Sequence, residues 1–335
     1  MIVIYVILLF VLMIFPHELG HFIAAKACRV QVNEFAFGMG PALFKKQGRE
    51  TLYSVRAVPV GGYCAMEGED TEEASDNPRA FNNKKWWQKI IILVAGAAMN
   101  VLIAVLALTI ISAVYGMTTT VIDEVSGGSP AMEAGIEAGD QVLAVGGERV
   151  ESWSDVGTYI AEKIESDGSV EITVAGDSGE RTVTVLPEET DGRLTVGITC
   201  KVSHNVFRAI VNGATGAWDM TVMMVDAFKQ LFSSGDFVNQ VSGPVGIVSA
   251  VSETTTYGGV YYIYLVALIS LNLAFINLLP FPALDGGRII FVIIRLITGK
   301  AITDKMEGTV HMIGMMCLLG LFVFVTWNDI TRLFQ

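Results

Sequence analysis

Residues Ile2 to Ala25 read IVIYVILLFVLMIFPHELGHFIAA, a long apolar stretch that carries His17-Glu18-Leu19-Gly20-His21 near its end. Crossing about 30 Å of hydrocarbon takes about 20 helical residues, so the stretch is long enough to span a bilayer. On a helix, positions i and i+4 share a face, so the imidazoles of His17 and His21 can meet one metal ion with Glu18 beside it. That HExxH spacing builds a zinc hydrolase site. The structural alternative is a pair of packed histidines hydrogen-bonded to neighbours, with Glu18 neutral. Location decides between them: ionisable residues inside a spanning helix are costly and mark a functional site by default.

Working outward, three more apolar runs follow: Ile90 to Tyr115, Val260 to Leu279 and Met312 to Trp327. The first two are long enough to span and the last is marginal. With 52% hydrophobic and 17% charged residues, the 335-residue chain is too apolar for an ordinary soluble protein. The expected fold class is an α-helical polytopic membrane protein with about four transmembrane helices. A cleaved secretory signal is not expected, because the first positive charge, Lys26, follows the apolar run. Cys28, Cys64, Cys200 and Cys317 show no CxxC spacing, which argues against a disulfide framework or a cysteine zinc knuckle.

The net charge of −12 is unevenly spread. Residues 26–90 hold 10 Lys/Arg and 8 Asp/Glu, whereas residues 114–260 hold 7 and 21. Charges close to the spans orient the chain. Lys84, Lys85 and Lys89 precede the second span, and Arg288, Arg295, Lys300 and Lys305 lie between the third and fourth. Both segments are expected to be cytoplasmic, and the acidic 114–260 segment and both termini outside. So acidic a chain excludes nucleic acid as a partner; the lipid bilayer is the partner implied.

Val30 to Met66 alternates loosely and is rich in Gly and Pro, which predicts short strands and hairpins. Glu67 to Asn83 reads as a solvated loop. Beyond the second span, strands are expected at Thr119–Glu124, Gln141–Val145, Val170–Val174, Arg181–Leu186 and Leu194–Ile198, with helices at Ser129–Ala134 and Ser154–Ile164. This makes an inserted α/β module of about 80 residues. His204 to Phe232 reads as one or two amphipathic helices, packed on the spans or lying in the membrane interface.

Catalytic zinc normally takes three protein ligands. Beyond the motif, the candidates are His204, His311 and the carboxylates. Asp285 stands out, because Asn277-Leu-Leu-Pro280-Phe-Pro282-Ala-Leu-Asp285-Gly286-Gly287 breaks the third run with irregular backbone, which membranes tolerate where it lines a polar cavity. A helix-capping Asp is the alternative, and His311, opening the last run, reads as an interfacial histidine. Glu18 suits a general base. Asn277 suits either an oxyanion donor or an interhelical hydrogen bond.

These residues resemble the site-2 protease family of intramembrane zinc metalloproteases, in its bacterial branch with a PDZ domain. The resemblance rests on HELGHF at His17–Phe22, FGMGP at Phe37–Pro41, Gly96-Ala-Ala-Met-Asn100, Ser242-Gly-Pro-Val-Gly246 and NLLPFPALDGG ending at Gly287. It implies Zn2+ held by His17, His21 and Asp285, with Glu18 as catalytic base, Asn277 assisting, and a reentrant β element around Phe37–Pro41. Residues 1–115 and 259–335 would form the protease core, 116–202 an extracytoplasmic PDZ-like domain, and 203–258 connecting helices.

Ser129 to Val150 carries the PDZ likeness, and Gly116-Met117 aligns loosely with a carboxylate-binding loop. A single module is closer to the short form of Gram-positive relatives. The implied location is the plasma membrane with the site toward the cytoplasmic side. The implied substrates are single-span membrane proteins, among them trimmed anti-sigma factors and remnant signal peptides. A catalytically inactive PDZ-bearing scaffold is the alternative function.

Overall fold

The computed structural model describes residues 2–69, 76–177, 179–190, 193–234, 243–299 and 304–332. Ser242 and Lys300, and part of the expected Glu67–Asn83 loop, lie outside the described residues. In chain order the helices are α1 (Ile2–Ala27), α2 (Trp86–Tyr115), α3 (Pro130–Glu133), α4 (Trp153–Asp167), α5 (Val206–Ser234), α6 (Pro244–Tyr257), α7 (Gly259–Leu278), α8 (Asp285–Thr298) and α9 (Asp304–Arg332). The strands are β1 (Val32–Gln47), β2 (Leu52–Met66), β3 (Met117–Val125), β4 (Gln141–Val145), β5 (Glu148–Arg149), β6 (Val170–Gly176), β7 (Gly179–Val185), β8 (Glu188–Thr190), β9 (Arg193–Thr195) and β10 (Ile198–Ser203). The chain divides into two compact units, Met1–Ile111 with Ile210–Gln335, and Ser112–Ala209.

In the first unit, four described helices are long and apolar enough to cross a membrane: α1, α2, α7 and the Lys305–Thr331 part of α9. The fourth is longer than the Met312–Trp327 run suggested, because the helix continues through polar residues at both ends. In lipid, helices associate through close packing at small residues rather than through the hydrophobic effect. Accordingly α2 buries a stripe of Gly96, Ala97, Asn100, Ala104, Ala107 and Leu108, while Leu102, Leu106 and Ile110 stay exposed. A Cβ on Gly20 would lie 2.3 Å from the carbonyl oxygen of Ala95, so the glycine is what lets α1 and α2 approach. Tyr262 of α7 also holds α1, its hydroxyl donating to the Tyr5 carbonyl at 2.8 Å.

α5 is a single helix of 29 residues. It packs Ala217 and Met220 against Ala104 and Leu108 of α2 and Ala267 and Leu271 of α7. Phe207, Ile210, Val211 and Trp218 remain exposed on another side, so the helix has both a packed stripe and an unpacked apolar one.

The Val30–Met66 region forms two antiparallel runs, β1 and β2, each bent into two arms. Phe35 registers with both Cys64 and Tyr53, and Tyr53 with both Phe35 and Lys46. The arms therefore lie in the order 42–47, 52–56, 34–37, 62–66, bent where Gly38 and Gly40 take positive φ. The outer arm 62–66 runs beside α1, because Gly62, lacking a Cβ, can pass close to the Glu18 side chain.

The second unit is an antiparallel sheet in the order β10-β3-β4-β6-β7, with β5 paired to β4. Alternation places Val170, Ile172 and Val174 of β6 inward. α4 adds Val156 and Ile160, one turn apart, to the same core. Ser129 caps α3 by accepting from the Met132 amide, with Pro130 in its first turn. The strand expected at Leu194–Ile198 is instead split. Gly197 turns at φ +80°, sending Arg193–Thr195 to pair with β8 and Ile198–Ser203 to pair with β3. Met117 opens β3, directly after Gly116; β3 is an inner strand, and the free edge beside it among the described residues is β10.

Candidate metal centre

α1 projects both imidazoles from one buried face, His17 and His21 being 8% and 7% exposed. Asp285 reaches them from the first turn of α8, after the Leu279–Leu284 turn that ends α7. The glycines that follow it explain that turn. A Cβ on Gly286 would lie 2.3 Å from the Leu279 carbonyl oxygen, and one on Gly287 2.2 Å from that of Phe281, so only glycine lets α8 start against the turn's own backbone.

The two Nε2 atoms are 3.2 Å apart, and Asp285 Oδ2 is 3.4 Å from each. Zinc ligands about 2.0–2.1 Å from the ion in tetrahedral directions stand about 3.3 to 3.4 Å from one another. The triangle formed by these three atoms has that size. Asp285 Oδ2 is buried without a hydrogen-bond partner, a cost the protein bears unless a cation lies there. His21 Nδ1 lies 2.8 Å from the Ile92 carbonyl; donating to it fixes the tautomer that leaves Nε2 as a lone-pair donor facing the centre. The donor set thus fits Zn2+.

Glu18 lies in the same cavity, of about 560 Å³, with Tyr63, Cys64, Glu69, Asn277 and Arg288 on its walls. Asn277 Nδ2 is 3.5 Å from His17 Nε2, so its amide borders the centre. His204 lies in the other compact unit, near the Ala113 carbonyl.

Three participants were not legible in the sequence. Gly96 of α2 faces the imidazoles, where a Cβ would lie 2.3 Å from His21 Nε2. Asn100, one turn further, is fully buried, with Nδ2 3.4 Å from His17 Nδ1 and Oδ1 without a partner. A half-turn of the amide about its terminal bond places Oδ1 on Nδ1–H, satisfying the oxygen and leaving Nε2 free. Both residues sit in the Gly96–Asn100 segment already singled out, but their role is an interhelical distance that no local pattern encodes. His311 is the third. Beyond the interfacial reading, it has a structural partner: its Nδ1 accepts from the Ala283 amide at 2.8 Å, tying α9 to the turn before Asp285.

A His/His/Asp cluster that could hold a metal, beside a glutamate and on helices apolar enough to cross a membrane, fits one class, the membrane zinc hydrolases, and comparison with known proteins narrows it. The model of peptidase family M50 matches residues 5–321, and the chain belongs to this family, that of the site-2 proteases. It is 35% identical over 333 residues to a protein of Clostridium perfringens named as a zinc metalloprotease, covering 98% of each chain. To one so named in Clostridium acetobutylicum it is 34% identical over 330 residues, 97% of this chain and 96% of the relative. The regulator of sigma-W protease RasP of Bacillus subtilis is 28% identical over 416 residues, 98% of each chain. That span exceeds the 335 residues here, so RasP carries insertions. The protein is a multi-pass membrane zinc metalloprotease, and its cofactor is Zn2+.

Proposed function

We propose that His17, His21 and Asp285 hold the zinc ion, and that the enzyme cleaves transmembrane segments of single-span membrane proteins. The observation that carries this reading is the 3.2, 3.4 and 3.4 Å triangle of ligand atoms, with an otherwise unpartnered Asp285 oxygen at one corner. When bound, zinc supplies Lewis acidity, acidifying water and polarising the scissile carbonyl. Glu18 accepts a proton from the attacking water and returns it to the leaving amine. Asn277 donates its amide N–H to the oxygen of the tetrahedral species.

Peptide bonds within a lipid-embedded helix are hydrogen-bonded and kept from water, so the substrate must unwind before it reacts. The arm 62–66 supplies the complement: it is an outer arm of its sheet and its residues Tyr63 to Met66 line the cavity. An unwound segment adds to it as a further strand, the sheet's free N–H and C=O groups holding it across the site.

The finer assignments rest on the residues already described. Residues 116–202, inside the second unit, form a PDZ-like extracytoplasmic domain. Residues 203–258 connect it to the second half of the core, 259–335, and the site faces the cytoplasm. The name of the Bacillus subtilis relative supports anti-sigma factors as a substrate class, with remnant signal peptides the other. The PDZ-like domain filters substrates by size, so deleting residues 119–200 permits cleavage of untrimmed substrate.

The deciding experiment is bound metal in the purified protein, for the native chain and for His21→Ala and Asp285→Ala variants matched for folding. The expectation is one zinc per chain, lost or sharply weakened in both. Zinc indifferent to Asp285 would remove that ligand from the set.

A further inference from the structure

Asp285 is the one proposed ligand that α1 does not carry, so its place depends on the turn before it. That turn contains a residue in a conformation L side chains avoid: Ala283 has φ +77°, and among the described residues only Arg29 is another non-glycine with positive φ. Such a conformation persists only where its surroundings hold it. Here the support comes from α9, none of whose described residues lines the cavity.

Two residues of α9 form the support. His311 Nδ1 accepts the Ala283 amide proton at 2.8 Å. One turn on, Gly314 faces the preceding proline, where a Cβ would stand 2.5 Å from both the Cβ and the carbonyl oxygen of Pro282. The His311 ring is itself held. It lies 5.5 Å, centroid to centroid, from Phe291 of α8, and its Nε2 is 3.8 Å from Glu307, one turn earlier on α9. Glu307 in turn pairs with Arg295 of α8 at 2.7 Å. An acceptor at Nδ1 is therefore presented at a set position, 28 residues beyond the amide it binds.

We propose that His311 is a positioning residue: by holding Ala283 in the left-handed conformation from α9, it sets where the Asp285 carboxylate stands and so how tightly the centre holds zinc. The inference rests on the reading of Asp285 as a ligand. It makes the last span part of the proposed metal site's scaffold, although none of its described residues lines the cavity.

The test is zinc affinity of the purified full-length protein, measured by competition with a chelator of known affinity, with thermal unfolding as a control on folding. His311→Leu removes the acceptor and is expected to weaken zinc about 10- to 100-fold, the range for groups that orient a metal ligand. His311→Asn places an oxygen where Nδ1 stood and is expected to stay within a few-fold of the native chain. Ala283→Gly combined with His311→Leu is expected to recover most of the loss, since glycine adopts positive φ freely.

Native affinity in His311→Leu alongside lost zinc in Asp285→Ala overturns the inference and leaves the ligand reading standing. Native affinity in Asp285→Ala overturns the ligand reading itself. Failure of Ala283→Gly to restore affinity also overturns the inference, because the effect of His311 would then not pass through that residue. Should His311→Leu not fold, His311→Asn and His311→Gln decide: Asn should retain zinc and Gln, whose oxygen lies at the Nε2 end, should lose it, and the reverse order overturns the proposal.

Discussion

Two sets of glycines, one in each unit, serve opposite purposes. In the sheet unit, Gly128, Gly135, Gly139, Gly147, Gly168 and Gly179 all have positive φ, and a Cβ added to any of them would meet nothing within 4 Å. They bend the chain. In the membrane unit, Gly20, Gly96, Gly213, Gly286, Gly287 and Gly314 have ordinary backbone angles, yet a Cβ on each would fall within 2.6 Å of a neighbouring atom. They let backbones and the metal-site imidazoles approach. Water drives the sheet unit to bury valines and isoleucines against one another, whereas helices in lipid gain only from contact and from polar groups that meet.

The comparison can be broken most severely at Glu18, the proposed catalytic base. Glu18→Gln is expected to lower the rate on a single-span substrate by about 10²- to 10⁴-fold, the usual contribution of a general base, while bound zinc stays at its native level. Comparable turnover in the variant would remove Glu18 from that role.

Gly96→Ala should come next. Its methyl group would overlap His21 Nε2, so zinc affinity is expected to fall by about 100-fold or more, beyond the usual effect of an orienting group. Hydrogen exchange at β4 and β6 should be unaltered, which separates a local collision from general unfolding. Asn100→Leu is expected to cost about 10- to 100-fold in zinc affinity, and Asn100→Asp, which keeps an acceptor for His17 Nδ1–H, much less. Equal losses in the two would mean that Asn100 acts through its shape rather than through the hydrogen bond.

The smallest effect belongs to the other kind of glycine. Gly146 and Gly147, both at positive φ, form the two-residue connection between Val145 and Glu148 that the tight hairpin of β4 and β5 requires. Gly147→Ala meets no neighbour and is expected to cost about 1–2 kcal/mol of local stability, read by hydrogen exchange at β4, with zinc affinity unaltered. A change in zinc affinity would show that the two kinds of glycine are not separable.

Much of this organisation was legible beforehand. The spans followed from the length of apolar runs, β4 and β6 from alternation, and the shared face of His17 and His21 from a four-residue spacing. Asp285 stood out because a proline- and glycine-rich break at membrane depth needs a reason. Where the reading differed, the missing information was long-range. His311 opens an apolar run and so read as interfacial; its partner is a backbone amide in a different element. Leu194–Ile198 alternates like one strand, but Gly197 turns the chain between two pairings. For α5, the amphipathic pattern shows that a face is buried without saying against which helices.

By itself, then, the sequence determined the spanning helices, the sheet module and the chemical character of the centre, because these depend on interactions within a few residues along the chain. Tertiary structure alone decided that α1, α2, α7 and the α8 turn converge to a triangle of proposed ligand atoms little more than 3 Å on a side. It also decided that Asn100, Gly96 and His311 belong around that triangle. Their effect is a distance between segments far apart in the chain, set by which small residues allow contact and which buried polar groups must find partners, and neither leaves a periodic trace.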